Sequence, residues 1–122
     1  MNEAKAELNT YRQSPRKVRL VADLVRGKKI NDAIMTLSFI PKRAALPMQK
    51  LLASALANAK NLSIPQENLI VKSIEVNAGS TLYRSQPRSY RGGSSTTRKR
   101  TSHVSVVLSE SKAKSNKLKA TN

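Results

Sequence analysis

Leu69-Ile-Val-Lys-Ser-Ile-Glu-Val-Asn77 and Thr101-Ser-His-Val-Ser-Val-Val-Leu108 frame Gly79-Ser-Thr-Leu-Tyr-Arg-Ser-Gln-Pro-Arg-Ser-Tyr-Arg-Gly-Gly-Ser-Ser-Thr-Thr-Arg-Lys-Arg100, a segment with almost no large apolar side chains. The two flanks are rich in Ile and Val and predict strands, with Val104, Val106 and Leu108 on one side of the second. A structureless loop over all of 79–100 is improbable inside a compact domain. A long two-stranded ribbon turning at Gly92-Gly93 is the better reading, because paired glycines supply positive φ. Such a ribbon cannot bury itself, and an isolated two-stranded ribbon is marginal in water. It is expected to fray alone and to be ordered by a polyanionic surface. Strong amide protection across 82–100 in the free protein would contradict that expectation.

The charge of the ribbon says which surface. No acidic residue lies between Val76 and Ser109, while Arg84, Arg88, Arg91, Arg98, Lys99 and Arg100 do. Five of these six cations are Arg, whose planar fork matches phosphate oxygens, where Lys is a point charge. Over all 122 residues, 23 Lys and Arg against 7 Asp and Glu give a net charge of +16. A charge of that size repels itself and calls for a polyanion to offset it. Beyond the second strand, Lys112, Lys114, Lys117 and Lys119 are spaced through Ser, Asn and Ala without hydrophobic periodicity. Residues 111–122 therefore read as a disordered basic tail.

Ahead of the first strand the pattern is mostly helical. Residues 3–11 alternate polar and apolar side chains and predict a half-buried strand. Ser14-Pro15 reads as a helix start, with Ser as cap and Pro in the first position. Val18, Val21, Ala22 and Val25, with Leu20 and Leu24 beside them, form a broad apolar stripe opposite Arg16, Arg19, Asp23 and Arg26. Gly27 ends this helix in a left-handed conformation. Asn31 is the expected cap of a second, short helix carrying Ala33, Ile34 and Leu37. Ala44, Ala45, Met48, Leu51, Leu52, Ala55, Leu56 and Ala59 recur at the helical period, which predicts a third helix. Pro47 inside that pattern would cost about 3 kcal/mol or more in a helix interior, so a start or a kink near 47 is expected. Residues 62–68 read as a loop.

Several functions are excluded on composition. No apolar run approaches the ~18 residues that cross a bilayer, and a helix binding an anionic membrane would need bulky anchors, where this chain has no Trp and one Phe, Phe39. The start Met1-Asn2-Glu3-Ala4 lacks a positive region before a greasy run, so no secretory signal is expected. There is no Cys, hence no disulfide and no thiolate metal site. The seven acids (Glu3, Glu7, Asp23, Asp32, Glu67, Glu75, Glu110) are scattered, and His103 is the only histidine. That leaves no acid–base or metal constellation, and Gly92-Gly93 lacks the strand–loop–helix context of a nucleotide-binding loop. No enzymatic activity, metal or cofactor is expected.

The motifs resemble one family. Lys17-Val-Arg-Leu-Val-Ala-Asp-Leu-Val-Arg-Gly-Lys28 is similar to the first helix of the bacterial large-subunit ribosomal protein twenty-two family, and Ser54-Ala-Leu-Ala-Asn-Ala59 to its long third helix. Pro87-Arg88 and Arg98-Lys-Arg-Thr-Ser-His103, followed by Val104-Ser-Val-Val-Leu108, resemble the two sides of its extended hairpin. The blocks keep the family's order over roughly residues 4–110. At the tip, Ser89-Tyr90-Arg91-Gly92-Gly93-Ser94 stands where the family usually has a shorter Gly-Arg-Ala turn.

The resemblance implies an α+β domain, with three helices packed on a small three-stranded antiparallel sheet and a long β-hairpin leaving it. Residues 1–110 would form that single domain, with a globular body (1–78 and 101–110) and an arm (79–100). It implies a structural constituent of the large subunit in a cytoplasmic or organellar ribosome, a monomer there. Its partners would be large-subunit rRNA, neighbouring ribosomal proteins and the nascent polypeptide, with no membrane. The hairpin would line the exit tunnel, with Arg88, Ser89, Tyr90, Arg91, Gly92, Gly93 and Ser94 at its tip, and the protein would aid subunit assembly. Tyr90 can stack on a base, worth ~1–3 kcal/mol on single-strand platforms. Candidate rRNA contacts are Arg12, Arg16, Lys17, Arg19, Lys28 and Lys29 on the body, Arg84, Arg88, Arg91, Arg98, Lys99 and Arg100 on the arm, and His103 beside it. The competing reading is a free-standing basic architectural nucleic-acid-binding protein, self-sufficient in its fold and usually dimeric.

Overall fold

A computed structural model describes residues 3–86 and 95–110. The turn expected at Gly92-Gly93, the rest of the tip, and the tail lie outside the described residues. Along the chain run β1 (Glu3–Tyr11), α1 (Pro15–Val25), α2 (Ile30–Phe39), α3 (Ala45–Asn61), a 3-10 turn (Gln66–Asn68), β2 (Leu69–Ala78), β3 (Leu82–Gln86), β4 (Ser95–Lys99) and β5 (Ser102–Glu110). β5 is the centre of a three-stranded sheet of order β1-β5-β2, with both pairs antiparallel, and β3 and β4 form a separate antiparallel pair. The fold is the α+β arrangement anticipated from the sequence.

Alternation along the strands decides which sheet face meets the helices. Ala4 and Ala6 of β1 and Val104, Val106 and Leu108 of β5 are buried, while the residues between them face the other way. On β2 the buried set is Leu69, Val71, Ile74 and Val76, which breaks the two-residue period after Val71. The register explains the break. Val71 pairs with Leu108 and Ser73 with Val107, so Lys72 is an extra, bulged residue. The bulge restores phase, and Ile74 and Val76 return to the core face.

The helices close that face. α1 contributes Val18, Val21, Ala22 and Val25, α2 Ile30, Ala33 and Leu37, and α3 Met48, Leu51, Leu52, Ala55 and Ala59. Ala55 and Ala59 are fully buried; side chains this small let α3 lie close along β1. Leu20 and Leu24 depart from the expected stripe, being 62% and 48% exposed. At 100° per residue they turn toward Arg16 and Lys17, away from the arc centred on Val18, Val21 and Val25.

One helix start differs from the sequence reading, and the other two match it in place but not in detail. Ser14 is the N-cap of α1 but its hydroxyl makes no capping bond; its carbonyl accepts from Lys17 and Val18 N–H. α2 begins at Ile30 with Lys29, not Asn31, as the cap residue. Lys29 is bridged to Ile70 of β2 and held extended, so the helix starts as soon as the chain leaves that edge. Asn31 Oδ1 accepts from Gln66 Nε2 at 2.8 Å instead. α3 begins at Ala45, two residues before Pro47, which is its third residue. The first N–H groups of a helix have no intrahelical acceptor, so the missing N–H of Pro47 removes nothing there.

Candidate nucleic-acid interface

The outer edge of β2 is closed by polar groups, and this decides which cations remain free. Along the outer edge of β2, Val71 O accepts from Gly27 N–H at 3.0 Å, and Val71 N–H donates to Lys28 O at 2.9 Å. Gly27 reaches this position with φ +82°, a conformation that favours glycine. Ile74 O accepts from Arg26 Nη2 at 2.9 Å, and Val76 O from Arg19 Nε and Nη2 at 3.2 and 3.0 Å. Arg19 and Arg26 are seven residues apart, two helical turns, so they stand on one side of α1 and reach successive outward carbonyls of the strand. On the other edge, Lys5 O accepts from Asn58 Nδ2 of α3 at 2.7 Å. Unpaired edges invite foreign strands, and on β2 backbone and arginine groups together occupy the edge.

Arg19 is thus a part of the body's own architecture, with part of its fork committed to Val76. Arg26, an unassigned cation in the sequence reading, does the same work and also pairs with Asp23. Arg12, in the turn between β1 and α1, and Arg16 and Lys17, on the first turn of α1, are exposed. Lys28 and Lys29 are exposed on the link between α1 and α2, and Lys28 Nζ reaches Thr36 Oγ1 at 3.4 Å.

On the ribbon, Leu82 pairs with Lys99, Tyr83 with Arg98, and Arg84 with Thr97. Arg98, Lys99 and Arg100 are exposed together where the returning strand nears the sheet. Arg88, Arg91 and the tip residues Ser89, Tyr90, Gly92, Gly93 and Ser94 lie outside the described residues.

The open face of the sheet has the opposite character. Glu3, Ser109 and Ile70 form one cross-strand row, Lys5, Val107 and Ser73 the next, and Glu7, Ser105 and Glu75 the third. Two carboxylates therefore flank Ser105. Lys72 crosses over to pair with Glu3, and its hydrogen bond and positive charge hold the Glu3 carboxyl below its usual range. This face carries more carboxylates than cations.

His103 Nδ1 accepts Thr10 N–H at 2.9 Å. β1 has one residue too many between Leu8, paired with Val104, and Tyr11, paired with Ser102. Thr10 takes φ +54° in that bulge, and the imidazole accepts the amide that the ladder has lost. Around it lie groups that the sequence reading missed: Thr101 and Ser102, both buried, and Gly79. The signal available was thin, a Gly directly after one strand and two short hydroxyl side chains at the start of another.

No catalytic centre is assembled among the described residues. Among the described residues no three His, Asp or Glu side chains gather as metal ligands, and no helix is long and apolar enough to cross a membrane. A groove of about 390 Å³ between β1 and α3 is lined by Leu8, Tyr11, Leu46, Pro47 and Leu51, with Glu7, Lys50 and Ser54. These polar residues supply no histidine or cysteine, and the groove is mainly apolar.

Comparison with known proteins agrees with the motifs. Residues 6–109 match the family model described as ribosomal protein L22p/L17e. The large ribosomal subunit protein uL22 of Streptococcus pyogenes serotype M6 is 49% identical over 111 residues, which covers 90% of this chain and 96% of that protein.

Proposed function

We propose, for a chain that belongs to the ribosomal protein L22p/L17e family, a division of labour between a compact body and a cationic arm. The protein is a structural constituent of the large ribosomal subunit, not an enzyme, and works in the cytoplasmic ribosome. It binds large-subunit rRNA and sits among other ribosomal proteins. The body is residues 1–78 and 101–110, and the arm is residues 79–100. The arm extends along the exit tunnel as a monomer's single finger, its tip (88–94) facing the nascent polypeptide, and its insertion into folded rRNA aids assembly.

The observation that carries this reading is the antiparallel ribbon, with Arg98, Lys99 and Arg100 exposed on it and no carboxylate between Val76 and Ser109. Arg84, Arg88, Arg91, Arg98, Lys99 and Arg100 replace counterions on rRNA phosphates. Arg12, Arg16, Lys17, Lys28 and Lys29 extend the contact over the body, while Arg19 and His103 face it mainly through the strands they hold. RNA helices hide their base edges in a deep narrow groove, so recognition is by shape and phosphate geometry. The open sheet face, with Glu3, Glu7 and Glu75, is turned away from the RNA.

Two measurements test this. Tagged protein should travel with large subunits after a high-salt wash; recovery mainly with DNA or free protein would favour the architectural reading. If about eight of these eleven cations sit directly on phosphates, log K against log salt should slope by about −6 to −7. A slope near −2 would rule out the arm as the main binding element.

A further inference from the structure

We propose that the junction between sheet and ribbon is a built lock that fixes the direction in which the arm leaves the body, with Thr101, Gly79 and His103 as its positioning residues. The inference rests on reading 79–100 as an arm, and not on what that arm touches.

The register breaks at the junction. Ala78 pairs with Ser102 and Leu82 with Lys99, so three residues of the outgoing strand (79–81) face two of the returning strand (100–101). An extra residue on one strand bends a ribbon, and without further contacts such a bend is a hinge. Here it is tied from several sides. Gly79 N–H donates to Thr101 O at 2.9 Å, and Thr101 Oγ1 donates to Ser80 O at 2.6 Å, so the two strands are pinned by backbone and by side chain across the bend. Thr101 is 1% exposed, so its hydroxyl has no water to turn to. One step along, Ser102 Oγ, also buried, donates to Gln13 O at 2.5 Å and fastens the root to the turn before α1.

His103 closes the remaining side. Its ring accepts Thr10 N–H from β1 and lies across β5 against Gly79. A Cβ at Gly79 would overlap Thr101 Oγ1 and come within 3.2 Å of His103 Cε1 and Nε2. Glycine is required here for close approach. Thus the bend is bonded across itself, and the two residues that follow it are bonded to the turn before α1 and to β1. A buried, satisfied polar network of this kind specifies one geometry.

The sequence has no cysteine, so spin labels at Lys60→Cys on α3 and Lys99→Cys on β4 report the angle between body and arm in the full-length protein, without RNA. Lys99 sits on the first rung beyond the bend, so the expected result is a narrow distance distribution in the labelled parent even where the ribbon further out frays, broadened about twofold or more in Thr101→Val as a buried bond is lost, and narrow again in Thr101→Ser, which restores the hydroxyl. Far-UV circular dichroism should be the same for all three. A broad parent distribution, or a Thr101→Val distribution as narrow as the parent's, overturns the proposal. If Thr101→Val also loses helical signal, Gly79→Ala decides, because it adds bulk only at the root. A displaced distance with intact helices supports the lock, and an unmoved distance overturns it. Since no RNA is present, a negative result leaves rRNA binding untouched, and a failure of rRNA binding leaves the lock untouched.

Discussion

Two arginines three residues apart on α1 illustrate how differently one charge can be used. Both are exposed, but Arg19 gives two N–H groups to Val76 O. Arg19→Ala leaves a part-buried strand carbonyl without its donor and should lower unfolding free energy by about 1–3 kcal/mol, measured by thermal or urea denaturation. Lys at 19 should restore only part of this, since it lacks the fork. Arg16→Ala should change stability by no more than about 0.5 kcal/mol, and should instead make the salt slope of RNA binding shallower by about 0.7–0.9. A carboxylate adds a pH signature. Lys72, through its hydrogen bond and then its charge, lowers the Glu3 pKa in the folded protein. A lowered folded value means the unfolded chain binds the proton more readily. The contribution is present above the ordinary Glu pKa and is lost as pH falls through the lowered folded value. Plotted against pH, the stabilities of the parent and Glu3→Gln should differ at neutral pH and draw together in acid. The pair is exposed, so the gap is small; curves that diverge in acid would reverse the assignment.

Elements whose pattern is local were legible, and elements set by distant partners were not. The third helix was readable from eight apolar positions, all but Leu56 buried. Its start near Pro47 was readable too, because the third position of a helix tolerates the missing N–H. The start of α2 was misread because Lys29 is held by Ile70, forty-one positions away in the chain. β2 is the sharpest case. Ile and Val marked it as a strand, but Leu69, Val71, Ile74 and Val76 share a face only through a bulge whose existence depends on the pairing with β5. Deleting Lys72 should therefore be far worse than substituting it. Removing the bulge turns Leu69 and Val71, or else Ile74 and Val76, to the open face. The cost should be several kcal/mol, on the scale of emptying core positions, and an unfolded protein by circular dichroism is the expected outcome. Lys72→Ala should fold with only the loss of its exposed pair with Glu3. A folded deletion variant of near-parental stability would mean that the bulge does not set the phase. The candidate site divides the same way. Its exposed cations were visible as a charge run, whereas the roles of Arg19, Thr101 and His103 depend on which carbonyl or amide lies opposite, and no spacing in the chain encodes that.

Taken together, the protein separates what holds it together from what it binds. Its core is built from helices closing one face of a small sheet, the carboxylates Glu3, Glu7 and Glu75 lie on the other face, and the densest run of cations sits on a ribbon whose described residues add nothing to the core. If that separation is real, the ribbon is removable. Deleting residues 84–98 joins Tyr83 to Lys99 and gives up the Leu82–Lys99 rung, leaves Gly79, Ser80, Thr101 and Ser102 with their bonding partners in place, and removes Arg84, Arg88, Arg91 and Arg98. Helical content by circular dichroism should be unchanged. The loss of four positive charges from a net +16 should relieve self-repulsion, so the shortened chain should unfold no more easily than the parent at low salt. RNA binding should respond in the opposite way, with a salt slope shallower by about 3–4 as four phosphate contacts are lost. Exit-tunnel function should change while the body still joins the subunit. Loss of helicity on the deletion would refute the division into body and arm, because a ribbon that contributes to the fold cannot be the part that takes its order from RNA.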